Sequence, residues 1–344
     1  ELMNEHERGS AQARTLSDTT NDRMKCISHF ENDLLASKPL SACQIRDELN
    51  LSNHDTLILH DASTMDFFRR TFLNCSVWIV LHGDYQYYYD TAKKFGLWAD
   101  KIFAVNQHLK ATVERNFRHR IQCHYLPAAA PKWTAPDLSQ KKDKIIFVGR
   151  MTRGKGAHLI PLIDAYLLEK RLSYQWSIVT SGNKSEADVE ASLNEWQESD
   201  HSNRINFHLN MDQDSIKDEY AQSSIFILPS QAEGFPVSLI EAMHQGCVPF
   251  IFNYGPDAIN QLPQSLSGSL CNTWEEMADC IKQLQTADLS KAQKIAFEHS
   301  RKFHGRNQTW DIIQNILKGS NPKWKSPFIF FIKRILRRLI HRNE

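Results

Sequence analysis

The stretch Ile225-Phe226-Ile227-Leu228-Pro229-Ser230-Gln231-Ala232-Glu233-Gly234-Phe235-Pro236-Val237-Ser238-Leu239-Ile240-Glu241-Ala242-Met243-His244-Gln245-Gly246-Cys247-Val248-Pro249-Phe250-Ile251-Phe252 decides the fold. Two short apolar runs bracket a segment that has Pro236 placed to open a helix and Gly246 placed to close it. That is a strand, helix, strand unit of a parallel sheet, in which ligands bind at the carboxyl ends of strands beside helix N-termini. Gly234 lets backbone come close to a bound group, and the amides around Phe235 to Ser238 offer an anion a seat at the helix start. Glu233 stands at that mouth. Glu241 follows inside a helical segment otherwise filled by Leu239, Ile240, Ala242 and Met243, where a carboxylate is costly unless something bonds to it. The plainer alternative is a helix-start acid followed by an edge carboxylate.

Upstream, Gly149-Arg150-Met151-Thr152-Arg153-Gly154-Lys155-Gly156 follows an apolar run at 144–148 and opens another helix. It fits the Gly, four residues, Gly-Lys pattern of a nucleotide triphosphatase loop. However, Gly156 stands where such a loop needs a Ser or Thr for magnesium, and no later strand ends in a magnesium-binding Asp. The residues alone leave open a phosphate-binding loop of another kind and a solvated loop with cations. Further back, His82 ends the apolar strand at 77–81 in the pattern Leu81-His82-Gly83-Asp84; a histidine there serves either structure or chemistry.

The same alternation runs through the chain. Strands are expected at 56–59, 77–81, 101–105 and 122–126, with a helix at 107–117. The stretch 127–143 carries three prolines and a charge run, and the linker is placed at 131–143. A second series follows: strand 144–148, helix 157–170, strand 176–180, helix 186–196, strand 204–209 and helix 214–221, before the central unit. Amphipathic helices are expected at 273–285, 289–303 and 308–317. Alternating strands and helices give an α/β chain with parallel sheets. Residues 1–50 are polar and weakly patterned, with helices expected near 21–37 and 41–49. The chain opens on Glu1, so the start of the first domain is expected to precede it.

At 344 residues the chain can build two α/β domains, and 41% hydrophobic with 24% charged residues is ordinary for a globular protein. From Pro322 onward seven Lys or Arg stand against one acid, so the tail carries +6 and, with a whole-chain net of +1, the remainder carries −5. The body therefore gives no reason to expect nucleic acid as a partner. The tail, with Ile332, Ile335, Leu336, Leu339 and Ile340 on one helical face and Lys333, Arg334, Arg337 and Arg338 on another, suits an anionic membrane surface. No signal peptide and no run of about eighteen apolar residues is apparent, so the expected place is cytoplasmic, peripheral on the inner face of the cytoplasmic membrane. The seven cysteines are scattered without a Cys-x-x-Cys pair, which argues against a zinc site and a disulfide framework.

Taken together, Glu233 and Glu241 in their Glu-Gly-Phe-Pro and Glu-Ala-Met settings, with the Gly-Arg … Lys-Gly loop at 149–156, resemble glycosyltransferase family 4. The resemblance implies the GT-B fold, two Rossmann-like domains facing across a cleft, and retention of anomeric configuration without metal or cofactor. The implied domains are 1–130 on the acceptor side and 144–305 binding the nucleotide sugar, with a helix at 306–321 returning to the first domain and the tail at 322–344. The donor is a nucleoside diphosphate sugar, UDP-sugar favoured, and the acceptor a saccharide or lipid-linked saccharide of cell-envelope glycan assembly. Arg150 and Lys155 would clamp the diphosphate, with Arg153 able to replace either. Glu233 would contact the sugar's hydroxyls and Glu241 the ribose, while Gly234, Phe235, Pro236, Val237 and Ser238 seat the phosphates. His82 would lie over the reaction centre, with Asp84 or His60 near the acceptor. Gly255 resembles the first of a glycine pair near the diphosphate, although the second position is Pro256. Rivals are a nucleotide hydrolase and a catalytically inactive scaffold of the same fold.

Overall fold

The computed structural model describes residues 56–60, 62, 65, 73, 75–83, 85–117, 122–181, 185–199, 203–305, 309 and 311–315. The helices expected at 21–37 and 41–49, Asp84 and the tail from 322 lie outside these residues. Elements run in the order β1 (Thr56–Leu59), β2 (Ser76–Leu81), α1 (Gln86–Phe95), β3 (Lys101–Ala104), α2 (Gln107–Asn116) and β4 (Cys123–Tyr125). A second series comprises β5 (Lys142–Val148), α3 (Ile160–Glu169), β6 (Gln175–Thr180), α4 (Ala187–Ser199), β7 (Ile205–Leu209), α5 (Gln213–Gln222), β8 (Ser223–Leu228), α6 (Val237–His244) and β9 (Val248–Phe252). It ends with β10 (Leu270–Cys271), α7 (Trp274–Gln283) and α8 (Leu289–Phe303).

The strands form two sheets, a four-stranded one ordered β1-β2-β3-β4 and a six-stranded one ordered β10-β9-β8-β5-β6-β7. In the larger sheet every pairing is parallel. This is the α/β class with parallel sheets that the alternating pattern implied. Two compact units divide the described residues: one holds 80–93 and 102–315, the other the described part of 56–79 and 94–101.

The larger sheet is buried on both faces, which is why its strands read as unbroken apolar runs rather than alternating ones. Ile145, Phe147, Ile225 and Ile227 pack with α3, α4 and α7 in one cluster. Ile146, Phe226 and Leu228 face the other way and join Leu239, Ile240 and Met243 of α6 and Ala296 of α8. Burying side chains of this size contributes about 1.5–3 kcal/mol each. Two carboxylates inside the unit are bonded into its frame. Asp164 accepts from the indole N–H groups of Trp176 at 2.7 Å and Trp196 at 3.0 Å and is held by both terminal nitrogens of Arg204 at 3.1 Å. Glu219 accepts from Lys144 and from Ser177 Oγ at 2.6 Å. With such partners, these acids belong to the scaffold rather than to chemistry.

Segment 127–143 packs against the second series. The Lys141 ammonium donates to the carbonyls of Tyr220 at 2.9 Å and Ser223 at 2.6 Å, closing the end of α5. Trp133 stacks at a tilt on Tyr220, 6.1 Å between ring centres. Helix α1, in the span between β2 and β3, is an element the sequence reading had not placed.

Candidate active site

Strand order places the site. Counting from β5, the six strands run 3-2-1-4-5-6 across the sheet, so the chain leaves β5 toward one edge and β8 toward the other. Where two neighbouring parallel strands send their crossovers in opposite directions, their carboxyl ends open a crevice that backbone does not fill. Loop 149–156 leaves β5 at this point, and loop 229–236 leaves β8 beside it.

The two loops are stitched together by backbone. The carbonyl of Gly154 accepts from Gln231 N at 3.0 Å and from Ser230 Oγ at 3.2 Å. Thr152 caps the short turn Arg153–Lys155, accepting from Lys155 N at 3.3 Å. Gly156 closes that turn with φ +71°, and a Cβ there would lie 2.0 Å from the Pro229 carbonyl oxygen. Only glycine satisfies both the left-handed backbone and the space.

This stitching delivers Lys155 to Glu233. The ammonium donates to Oε1 at 2.6 Å and Oε2 at 2.9 Å, with the lysine side chain 24% exposed and the glutamate 7% exposed. Tyr254 lies close enough that, after burial, the negative charges of Glu233 and Asp257 help push its phenol well above its usual pKa; its hydroxyl donates to Gln261 Oε1 at 2.8 Å.

Helix α6 starts beside this pair. Pro236 is its N-cap residue in extended backbone and offers no side-chain cap, and among the described residues no side chain accepts from the leading amides at Val237 and Ser238. The helix dipole adds partial positive charge at the same end. Glu241, one turn further, accepts from the Tyr220 hydroxyl at 3.4 Å, which satisfies part of the acid that sequence alone left costly.

Gly234 meets the end of β2. A Cβ on Gly234 would lie 2.2 Å from the His82 carbonyl oxygen and 2.5 Å from Gly83 Cα, so the glycine is required for this approach. Much of His82 is open to solvent, while desolvation by the protein on its other side lowers its pKa and favours the neutral ring; water on the open side tempers the effect.

Asn106 carries a contact that sequence reading missed. Buried at the start of α2, it accepts from Leu109 N at 2.7 Å as the helix cap and donates from Nδ2 to the Gly234 carbonyl at 2.8 Å. Two residues on, His108 N donates to Asp257 Oδ2 at 2.7 Å. An asparagine just before a helix reads as a cap, and nothing local reveals that its second arm reaches a loop 128 residues away.

The expected residues divide as follows. Lys155, Glu233, Gly234 and the backbone of His82 share one neighbourhood, with Phe235, Pro236, Val237 and Ser238 continuing the same loop into α6 and Glu241 within that helix. Arg150 is exposed at the end of β5, and the structure does not bring it into hydrogen-bond contact with Lys155 or Glu233. Arg153 is not a spare cation. It donates from Nε at 3.0 Å and Nη2 at 2.5 Å to Asp188 at the start of α4, holding that carboxyl below its usual pKa. Gly255 takes φ +147° with open space around it, and Asp257 in the same loop ties to α2 as described. His60 follows β1 in the other unit.

Comparison with known proteins shows what the chain is similar to. Residues 132–296 match the family profile described as Glycosyl transferases group 1. An uncharacterized glycosyltransferase of Haemophilus influenzae is 27% identical over 244 residues, 65% of this chain and 64% of its own length. The chain thus spans slightly under two thirds of that relative. Among solved structures, the pneumococcal O-GlcNAc transferase GtfA in complex with UDP and GlcNAc superposes with a TM-score of 0.63 at 17% identity, covering 80% of this chain and 58% of that one. Sucrose-phosphate synthase from Thermosynechococcus elongatus gives 0.65 at 16% identity, covering 86% and 82%. At such identities the likeness is one of fold, the GT-B type.

Proposed function

We propose that the protein is a retaining, metal-independent glycosyltransferase of family 4 that moves a hexose from a nucleoside diphosphate sugar, UDP-sugar favoured, to a saccharide or lipid-linked acceptor in cell-envelope glycan assembly. The observation that carries this reading is the Lys155–Glu233 pair at the switch point of the larger sheet, beside the uncapped start of α6. In the free protein the two charges satisfy each other. A diphosphate entering the crevice competes for the ammonium and for the amides of α6, which releases the Glu233 carboxylate to accept hydroxyls of the sugar. As the glycosidic bond to the diphosphate breaks, negative charge grows on the leaving oxygen, where Lys155, the helix start and Arg150 stabilise it. A donor phosphate oxygen accepts the acceptor's proton on the face the leaving group vacates, which retains configuration. Glu241 takes the ribose, and His82 faces the reaction centre.

Gly156 weighs against the hydrolase alternative. Its φ and its closeness to Pro229 exclude a side chain, so the hydroxyl a magnesium-dependent phosphate loop requires cannot be supplied there. The test is thermal melting with UDP-, GDP- and ADP-sugars. One class at a hundredfold excess over its Kd should stabilise by about 2.7 kcal/mol, which raises Tm by several degrees. Phosphate release from ATP or GTP with no nucleotide-sugar effect overturns the reading.

The basic segment 322–344 is proposed as a contact with an anionic membrane surface, placing the protein peripherally on the cytoplasmic side. Among the described residues no helix is long and apolar enough to cross a membrane. Truncation before Pro322 is expected to abolish co-sedimentation with phosphatidylserine vesicles; unchanged binding would remove the segment from that task.

A further inference from the structure

Tyr85 and Tyr87 are two large rings left open at the lip of the site, 45% and 50% exposed. Both contact Tyr88, at 6.5 and 5.0 Å between ring centres, and Tyr88 meets the His82 ring edge-on at 6.3 Å. The aromatic surface is therefore continuous from His82 outward. Tyr85 is also held in place. A Cβ on Gly83 would come within 2.5 Å of its Cε2 and 2.6 Å of its Cδ2, so its ring lies directly over the glycine. At its far end the hydroxyl donates to the Ala232 carbonyl at 3.4 Å, one residue before Glu233. A ring fixed by such a floor and tether loses little conformational freedom when something covers its open side.

The chemistry of the surroundings selects the occupant. From Tyr85 to Ala92 the chain has no Lys or Arg and contains Asp90, so these residues offer a phosphate or an anionic headgroup no cation to grip. Leucines or phenylalanines would suit a purely apolar partner, whereas these rings carry hydroxyls and stand beside exposed Gln86 and Asp90, bonded to each other at 3.1 Å. Ring faces with negative quadrupole attract the polarised C–H faces of a pyranose, while polar groups at their edges take its hydroxyls.

We propose that Tyr85 and Tyr87 form a stacking subsite for a neutral pyranose of the acceptor, leading to His82. The proposal rests on the transfer reading and narrows its acceptor to a saccharide at this contact. The full chain is tested on an array of neutral and phosphorylated oligosaccharides, with melting against UDP-, GDP- and ADP-sugars run alongside. The parent chain is expected to retain neutral glycans, with a loss of at least tenfold in Tyr87→Ala and in Tyr85→Ala/Tyr87→Ala. Tyr87→Phe, which keeps the ring, should stay within twofold, and the nucleotide-sugar shift should be the same in all four proteins. Equal glycan binding by the double variant overturns the subsite. So does retention of phosphorylated glycans alone, or of no glycan by a parent chain that still responds to a nucleotide sugar. A parent chain that responds to no nucleotide sugar removes the transfer reading and the subsite with it.

Discussion

Replacing Lys155 by alanine is expected to reduce turnover by about a hundredfold or more, near 2.7 kcal/mol of transition-state stabilisation, while the protein remains folded. The charge that forms on the departing diphosphate must be met in the crevice, and among the expected cations Lys155 is the one the fold places against Glu233. Removing it has a second effect that must be separated from the first. Glu233, 7% exposed, would lose its partner, and an unpaired carboxylate at that burial destabilises the loop. The variant Lys155→Ala/Glu233→Gln takes away both charges and should restore the melting temperature without restoring turnover. Arg150→Ala should lower turnover by a similar order with no loss of stability, since the guanidinium is exposed. Near-parental turnover in both single variants would sink the clamp.

How much of this was written in the sequence depends on the range of the interaction. The unit from 225 to 252 was legible because its signals are local. Apolar runs, a proline before the helix and a glycine after it fixed β8, α6 and β9 to within two residues. That Lys155 and Glu233 belong to one site was anticipated only through a family resemblance, and their ion pair was not anticipated at all, because the geometry depends on strand order, and order is set by which faces of the sheet are covered rather than by any one segment. Contacts made through backbone atoms left no trace. Gly154 reads as an ordinary loop glycine, yet its carbonyl is the junction between the two site loops. Arg153 read as able to replace Arg150 or Lys155 because its acidic partner, Asp188, lies 35 residues on. The 131–143 segment looked like a linker from its prolines and charges. Composition of that kind reports exposure poorly when a lysine stem can bury itself and cap a helix, as Lys141 does.

A single methyl group at Gly234 is expected to have a large effect on turnover. In Gly234→Ala the new Cβ would meet two backbone atoms, the His82 carbonyl oxygen at 2.2 Å and Gly83 Cα at 2.5 Å, and neither can swing aside as a side chain would. Loop 232–236 must therefore withdraw from the end of β2, carrying Glu233 away from its position and breaking the Asn106–Gly234 bond. Turnover should fall by at least about a hundredfold, the scale set by displacing reacting groups by an ångström. Gly268→Ala is the matched control: nothing lies within 4 Å of its added carbon, and its stability should change by less than about 0.5 kcal/mol. Asn106→Ser then divides the tether from the cap. Serine keeps an oxygen to accept from Leu109 N but gives up the amide that reaches Gly234, leaving that carbonyl without its donor. A drop in kcat of about tenfold with little change in donor KM would mean that the tether aligns Glu233 for transfer rather than for binding, because only interactions stronger in the transition state act on kcat. If Gly234→Ala keeps parental turnover, the approach of the loop to His82 has no part in the reaction.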